Sequence, residues 1–583
     1  MVSLRKTLQS PLGNRILFFL LAALIGGAVG LATLGLIHLI LLVQWFGFGD
    51  ASEWRFAEIA SGLPAWRVVL VPTVGGLLVG LLIEWIPGKR YHGIADVMEA
   101  CALNSARMSA RSGIGAALAA SLSIGVGAPL GREGPAVHIG ASLSAWIAGK
   151  LNLDRRQSLA LLGCGAAAAV TVSFATPVAA VIFALEVIVG YYTLRVFAPV
   201  VIAAMVAVVV RDVFIGGEPL FHLPHYSLSS YWELVLFALL GICGAGASWL
   251  LIKLVSLCQH GWQVVPLPQF LRPAVAGMLI GMIAVELPLI LSVGTEAIAL
   301  ALQGELAVKL LLALLVFKLV AVAVAIGSGF AGGVFSPAVY IGAMLGGAFW
   351  LLVSLTDLPI ADQGVYAVVG TAAVASSMLG APISTILIVF ELTRNYDITL
   401  GIMTAAAFAS TTMTLTGHSS FFRWQLAQRN VNISSGRDIS LLMTHQIHHL
   451  INHRYTKVSF DSTVGEVESK LGVQRQRLAM VVDDNDIFYG SITLQQVVVH
   501  AMEVGMDSPV QAAALDTEYA ATVSMNIVTA LQRMAEHKVE YLPVVDDSDA
   551  EKPLLVGVVT KSDLLAEHYD VVKREREAEF GIT

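Results

Sequence analysis

Gly125-Val126-Gly127-Ala128-Pro129-Leu130-Gly131-Arg132-Glu133-Gly134-Pro135 interrupts a chain of long apolar runs. Its glycines and prolines read as a loop that opens a helix, with one carboxylate at the helix start. A carboxylate inside a membrane costs about 2.5–3.5 kcal/mol on insertion scales, so its presence points to function. The same helix start offers free N–H groups and the positive end of the helix dipole, a ready anion site. An ionised Glu133 would compete with a free anion for those donors.

The surroundings set the class. At 583 residues, 56% hydrophobic and 13% charged, the chain is too apolar for a water-soluble globule. At about 20 residues per spanning helix, its apolar runs cross a bilayer many times. Charge concentrates after Arg429, so the net charge of −7 says little about partners, and no basic run suggests nucleic acid. Cys101, Cys164, Cys243 and Cys258 all lie in the apolar part without C-x-x-C spacing, which argues against a disulfide framework or a structural zinc site. Arg5, Lys6 and Arg15 flank an apolar run from Ile16 to Trp45. That run is too long for a signal-peptide core and reads as a first membrane helix with its basic flank on the cytoplasmic side.

The apolar region continues to about residue 430 as roughly sixteen to eighteen helical pieces of unequal length. Val68–Ile86 is long enough to span alone, whereas 135–148 and 177–189 are short and bounded by Gly or Pro. Short, interrupted segments of this kind point to helices that end at a site near the bilayer midplane. An internal repeat supports that architecture. Gly125, Gly127, Gly131 and Pro135 recur 202 residues on as Gly327, Gly329, Gly333 and Pro337. Gly140 recurs as Gly342, and Gly165, Pro177 and Glu186 recur 205 residues on as Gly370, Pro382 and Glu391. The membrane part is therefore two homologous halves, about 15–215 and 230–430. Paired short helices in matching positions of two halves mark a transport site.

Beyond residue 429 the chain turns polar. Residues 430–440 read as a linker, followed by two similar α/β units at 441–505 and 515–570 and a charged tail at 571–583. Each unit offers a helix, an apolar strand, an Asp-rich turn and a Gly-led strand: 463–471, 478–482, 483–486 and Gly490 in the first, then 527–537, 541–545, 546–549 and Gly557 in the second.

Here the residues resemble the CLC family of chloride channels and chloride/proton antiporters over nearly the whole chain. Gly131-Arg132-Glu133-Gly134-Pro135 is similar to the family's GREGP motif, and Gly333-Val334-Phe335-Ser336-Pro337 to its GxFxP motif. The C-terminal pair resembles tandem CBS domains. The resemblance implies an α-helical membrane fold built from an inverted-topology repeat. It also implies a homodimer with one pore per subunit, sited in the cell membrane with its CBS pair cytoplasmic. The cargo would be chloride or a similar small anion, with protons involved in gating or exchange. It assigns Glu133 as the gate: deprotonated it occupies an anion position, and protonated it swings away. The plainer alternative is a carboxylate that merely complements the helix dipole. Gly131, Arg132, Gly134, Gly333, Val334 and Phe335 are the helix-start positions implied to face the anion.

Three departures from the family pattern bear on mechanism. The family's GSGIP motif falls on Tyr91-His92-Gly93-Ile94-Ala95, so the anion-contacting Ser is His92, beside Gly93 and Ile94. His92 either lines the anion path, where an imidazole titrates near neutral pH, or bonds backbone at a helix start. The family's anion-contacting Tyr falls on Phe422, which cannot donate a hydrogen bond. The antiporters' internal proton glutamate falls on Val187, which cannot relay a proton, beside a Glu186 that its repeat in Glu391 marks as structural. The balance favours channel-like passive permeation, with exchange by another proton route, or a fluoride or nitrate preference, as alternatives.

CBS pairs commonly bind adenine nucleotides through a G-x-x-T-x-x-D pattern. Gly557, Thr560 and Asp563 fit it, and the first unit gives Gly490 and Thr493 with Gln496 in place of Asp. No cofactor is required otherwise. His445, His448, His449 and His453 have helix-face spacing but no Cys or acidic neighbour, so no metal is expected. No enzyme is expected either. Tyr396-Asp397 and Gly47-Phe48-Gly49-Asp50 stand in the wrong order for an intramembrane aspartyl protease, and no H-E-x-x-H is present.

Overall fold

The computed structural model describes residues 11–104, 106–190, 194–217, 220–221, 223–224, 226–356, 359–429, 431, 445–453, 455–474, 476, 478–513, 519–546 and 553–580. The chain divides into two compact units, Met1–Val431 and Asn432–Thr583.

The first unit is helical. One half comprises α1 (Pro11–Phe48), α2 (Phe56–Ser61), α3 (Ala65–Trp85), α4 (Ile94–Ala102), α5 (Ala110–Gly125), α6 (Glu133–Lys150), α7 (Arg155–Phe174), α8 (Pro177–Phe183) and α9 (Leu194–Phe214), with a π-helical turn over Ala184–Val189 continuing α8. The other comprises α10 (Glu233–Val264), α11 (Arg272–Glu286), α12 (Thr295–Gln303), α13 (Val308–Ser328), α14 (Phe335–Ser354), α15 (Gln363–Leu379), α16 (Pro382–Thr393) and α17 (Thr399–Leu415), and α18 (Phe421–Ala427) closes the unit. Among the described residues, eight helices are long and apolar enough to cross a membrane, and others, such as α8 and α16, are too short to do so. Every spanning backbone group must be satisfied within its own helix or by protein, so the short pieces are tolerated only because protein surrounds them.

The halves pack alike. Helix α1 lies on α9 as α10 lies on α17, and α6 lies on α7 as α14 lies on α15. Glycine sets these crossings. A Cβ on Gly165 would meet the Gly140 carbonyl oxygen at 2.3 Å, and one on Gly370 would meet that of Gly342 at 2.3 Å. Small residues let backbones approach where lipid supplies no hydrophobic drive between helices. The recurrence of Gly140 and Gly165 as Gly342 and Gly370 is thus one close crossing made twice.

The second unit holds two three-stranded sheets. The first runs β1 (Thr456–Ser459), α19 (Val464–Gln474), β2 (Leu478–Val482), β3 (Phe488–Thr493) and α20 (Leu494–Glu503). The second runs β4 (Ala521–Thr522), α21 (Ile527–His537), β5 (Tyr541–Val545), β6 (Leu555–Thr560) and α22 (Lys561–Phe580). In each, the first strand is parallel to the second and the second antiparallel to the third. The boundaries expected at 441–505 and 515–570 do not match the packing. Ile447 belongs to the second core with Ile527 and Leu542, and Asn452 bridges to Val558. Val510 and Ala513 belong to the first core with Val458 and Ile492. Within this unit, the segment ahead of the first sheet completes the second core and the segment ahead of the second sheet completes the first, because those residues carry the apolar side chains. The tail from 571 continues α22 to Phe580. The expected linker, 430–440, lies outside the described residues apart from Val431.

Candidate anion-conduction site

Helices α6 and α14 start at one point in the unit, from Glu133 and Phe335. The preceding loops are joined by a two-bond antiparallel bridge. Gly131 N–H donates to the Gly333 carbonyl at 2.8 Å, and Gly333 N–H donates to that of Gly131 at 2.7 Å. These two amides therefore hold the halves together and are not open to an anion in this conformation. The first N–H groups of a helix have no partner within it. The donors left are those of Arg132, Glu133 and Gly134 on one start and Val334, Phe335 and Ser336 on the other.

The Glu133 side chain is buried at 3% exposure and folds back onto the opposite start. Its Oε1 accepts the Ser336 hydroxyl at 2.5 Å. Its Oε2 lies 2.3 Å from where a Cβ on Gly131 would stand, so the carboxylate occupies space that only a glycine leaves open. Ser336 was not singled out from the sequence, although the 202-residue offset places it opposite Gly134. A hydroxyl at a buried helix start facing a carboxylate was the available signal.

Two cavities adjoin this point. The larger, about 290 Å³, reaches Gly93, Ile94, Gly134, Gly333, Val334 and Phe422. Arg90, Arg272 and Arg429 also line it, with no carboxylate among its described lining residues. The smaller, about 20 Å³, is lined by Arg132, Glu53, Ser292, Gly294 and Glu296. Arg132 lines one cavity and Gly134 the other, so Glu133 falls between them. Arg132 ion-pairs with Glu53 and donates to the Ser173 carbonyl at 3.3 Å, which turns its guanidinium toward the smaller cavity. Phe335 packs on Phe174 with ring centroids 4.5 Å apart.

His92 is engaged elsewhere. Its Nε2 meets the Pro87 carbonyl at 2.8 Å and its Nδ1 meets Asp96 Oδ1 at 3.2 Å. Of the two readings, the geometry is that of a helix-start histidine. Asp96, another residue the sequence reading passed over, organises this corner. It accepts Gly93 N–H at 2.8 Å, Arg90 at 2.6 Å and Arg429 at 3.0 Å, tying the start of α4 to the end of α18. Its signal was an acid at the third helical position after a glycine. Phe422 lies buried in the larger cavity's wall, as its aromatic bulk requires.

Val187 is buried on the π-helical turn. Beside it, Glu186 accepts the N–H groups of Ile383 at 3.1 Å and Ser384 at 2.7 Å at the start of α16. Glu391 does the same for Val178 at 3.2 Å and Ala179 at 2.7 Å at the start of α8. Each half thus caps a short helix of the other. Carboxylates at helix starts are stabilised by the orphan donors and the dipole.

In the second unit, Thr493 and Thr560 line a cleft of about 1110 Å³ together with Tyr455, Lys538, Tyr541 and Lys561. Thr560 Oγ1 donates to Asp563 at 2.7 Å and caps α22, as Thr493 and Gln496 cap α20. Gly557 answers a packing need instead: a Cβ there would meet Ile451 Cγ2 at 2.3 Å. His449 faces Glu567 at 3.5 Å.

Residues 75–414 match the family described as voltage gated chloride channel, and residues 504–570 match the CBS domain. A ClcB-like chloride channel protein of Ralstonia nicotianae is 32% identical over 421 residues, covering 70% of this chain and 96% of that one. Chloride channel protein CLC-f of Arabidopsis thaliana is 28% identical, covering 81% and 68%. Among solved structures, a slow cyanobacterial Cl⁻/H⁺ antiporter aligns with a TM-score of 0.62 at 19% identity, over 71% of this chain and 97% of that one. A eukaryotic CLC transporter aligns at 0.61 and 18%, over 94% and 97%. Family match, relatives and paired helix starts agree: the chain is a multi-pass membrane protein of the CLC family, which transports anions, with a CBS region at its C-terminal end.

Proposed function

We propose that the protein conducts chloride or a similar small anion passively, through one pore in each subunit of a homodimer in the cell membrane, and that Glu133 is the gate. The observation that carries this is the Glu133 carboxylate resting on Ser336 at the start of α14, between the two cavities. An anion there would use the same donors, so the carboxylate and the anion exclude one another. Protonation removes that competition, and flux rises as pH falls.

Passive conduction is favoured because, at the position where the family's exchangers carry their internal glutamate, Val187 is apolar and the neighbouring Glu186 is bound to two helix-start amides. Two measurements on purified protein in liposomes test this. Glu133→Gln should give anion flux that no longer varies with pH; a retained wild-type pH profile would remove Glu133 as the gate. The reversal potential under opposed chloride and proton gradients should follow chloride alone; a shift toward the proton gradient would establish exchange. The cleft at Thr493, Thr560 and Lys561 supports a second proposal, an adenine nucleotide at the CBS pair, read by titrating ATP into the full-length protein.

A further inference from the structure

Tyr91 stands one residue before His92, and neither the resemblance nor the proposed gate gives it a role. Its hydroxyl is buried and has no hydrogen-bond partner among the described residues. Buried polar groups are nearly always satisfied, so an unpartnered one asks what it serves. The ring folds back over Gly93, with the hydroxyl 3.6 Å from where a Cβ on that glycine would stand. The same hydroxyl lies 3.3 Å from the Cβ position of Gly134, the residue next to Glu133. Tyr91 thus reaches from the loop before α4 to the start of α6, inside the arginine-lined cavity that also holds Gly333, Val334 and Phe422.

We propose that Tyr91 is an anion ligand of this pore, its hydroxyl supplying the side-chain hydrogen bond that His92 and Phe422 do not. This rests on the reading of the protein as an anion conductor. A phenol donates its proton to an anion and carries no charge that would trap the anion. The lining suits such an occupant: Arg272 brings positive charge, Arg90 and Arg429 stand there paired to Asp96, and none of the described lining residues is acidic. Gly93 and Gly134 have no side chains to fill the space around the hydroxyl. With His92 turned to Pro87 and Asp96, Tyr91 supplies the side-chain donor on the α4 side of the cavity, as Ser336 does at the start of α14.

The test uses full-length protein and two independent readouts. Chloride binding is measured by titration calorimetry on detergent-purified wild type and Tyr91→Phe, a change that keeps the ring and its packing. Losing one hydrogen bond to an ion should weaken binding about tenfold, and the chloride-to-nitrate permeability ratio in liposomes should shift with it. A purely structural Tyr91 would leave both unchanged when the ring is kept, and that result overturns the assignment. Crystals of wild-type protein soaked in bromide test it without any variant. An anomalous peak within hydrogen-bond reach of Tyr91 Oη supports the proposal, and bromide bound in the cavity away from it refutes it. Absence of anion flux from wild-type liposomes would instead sink the conduction reading, and the Tyr91 proposal with it. Normal flux with an unaltered Tyr91→Phe defeats Tyr91 alone.

Discussion

Replacing Glu186 by Gln separates a structural carboxylate from a proton carrier. Each Glu186 oxygen accepts one amide at the start of α16, Ile383 at 3.1 Å and Ser384 at 2.7 Å. The amide side chain keeps one acceptor and turns an NH₂ toward the other donor. One charge-assisted hydrogen bond is lost, worth roughly 1.5–3 kcal/mol, and with it the attraction to the helix dipole, about 0.3–1 kcal/mol. Taken at the low end of both ranges, the loss is about 2 kcal/mol in sum. Glu391→Gln should cost about the same, because it removes the equivalent bonds to Val178 and Ala179. The assay is thermal unfolding of purified protein in detergent at a fixed scan rate, since membrane proteins of this size unfold irreversibly. A fall of a few degrees is expected in both variants, with the pH dependence of anion flux unaltered. An unchanged midpoint with a changed pH profile or reversal potential would refute the capping argument and make Glu186 part of a proton route.

Ser336→Ala removes the hydroxyl that holds Glu133 against α14. A hydrogen bond to a charged group is worth about 1.5–3 kcal/mol, so the gate should open more readily and anion efflux at neutral pH should rise several-fold; efflux equal to or below wild type would refute the contact's role. Gly370→Val places a side chain 2.3 Å from the Gly342 carbonyl and should abolish folded protein on size-exclusion chromatography. Gly149→Ala, which meets nothing within 4 Å, should leave the elution profile as it is.

The fold was readable because its strongest determinants are periodic and local. Apolar runs longer than a bilayer can only be helices, and the glycines at 140, 165, 342 and 370 betrayed the repeat because close backbone crossings admit nothing else. The buried helix-start placement of Glu133 was readable for a similar reason: the Gly- and Pro-bounded motif marks a helix start among apolar segments. The rest depended on which way side chains turn. Aligning His92 with an anion-contacting position gave its place in the chain, but Pro87 and Asp96 decide where its nitrogens point. Tyr91 was invisible because its meaning lies in the emptiness above Gly93 and Gly134. Gly557 looked like part of a ligand pattern, yet it answers to Ile451, more than a hundred positions earlier. Motif reading assigns roles by matching positions, whereas these residues take theirs from the contacts their side chains or backbones make, local for His92 and distant for Gly557.

The two halves share a scaffold and divide the chemistry. At the bridge between Gly131 and Gly333 the backbones are symmetric, each donating to the other. The side chains at matching positions are not: Arg132 and Glu133 face Val334 and Phe335, and Gly134 faces Ser336. One start supplies the acid and the other supplies the hydroxyl that holds it. Gly134, which has no side chain, leaves the room into which Tyr91 reaches. Two equal acids would have placed like charges on the same few donors, a repulsive arrangement in a low-dielectric setting. Two bare starts would have left the anion site open at every pH. On the gating proposed above, a single acid against a single hydroxyl gives one occupant that can leave, and the helix-start amides outside the Gly131–Gly333 bridge, from Arg132 to Gly134 and from Val334 to Ser336, remain to receive the anion that replaces it.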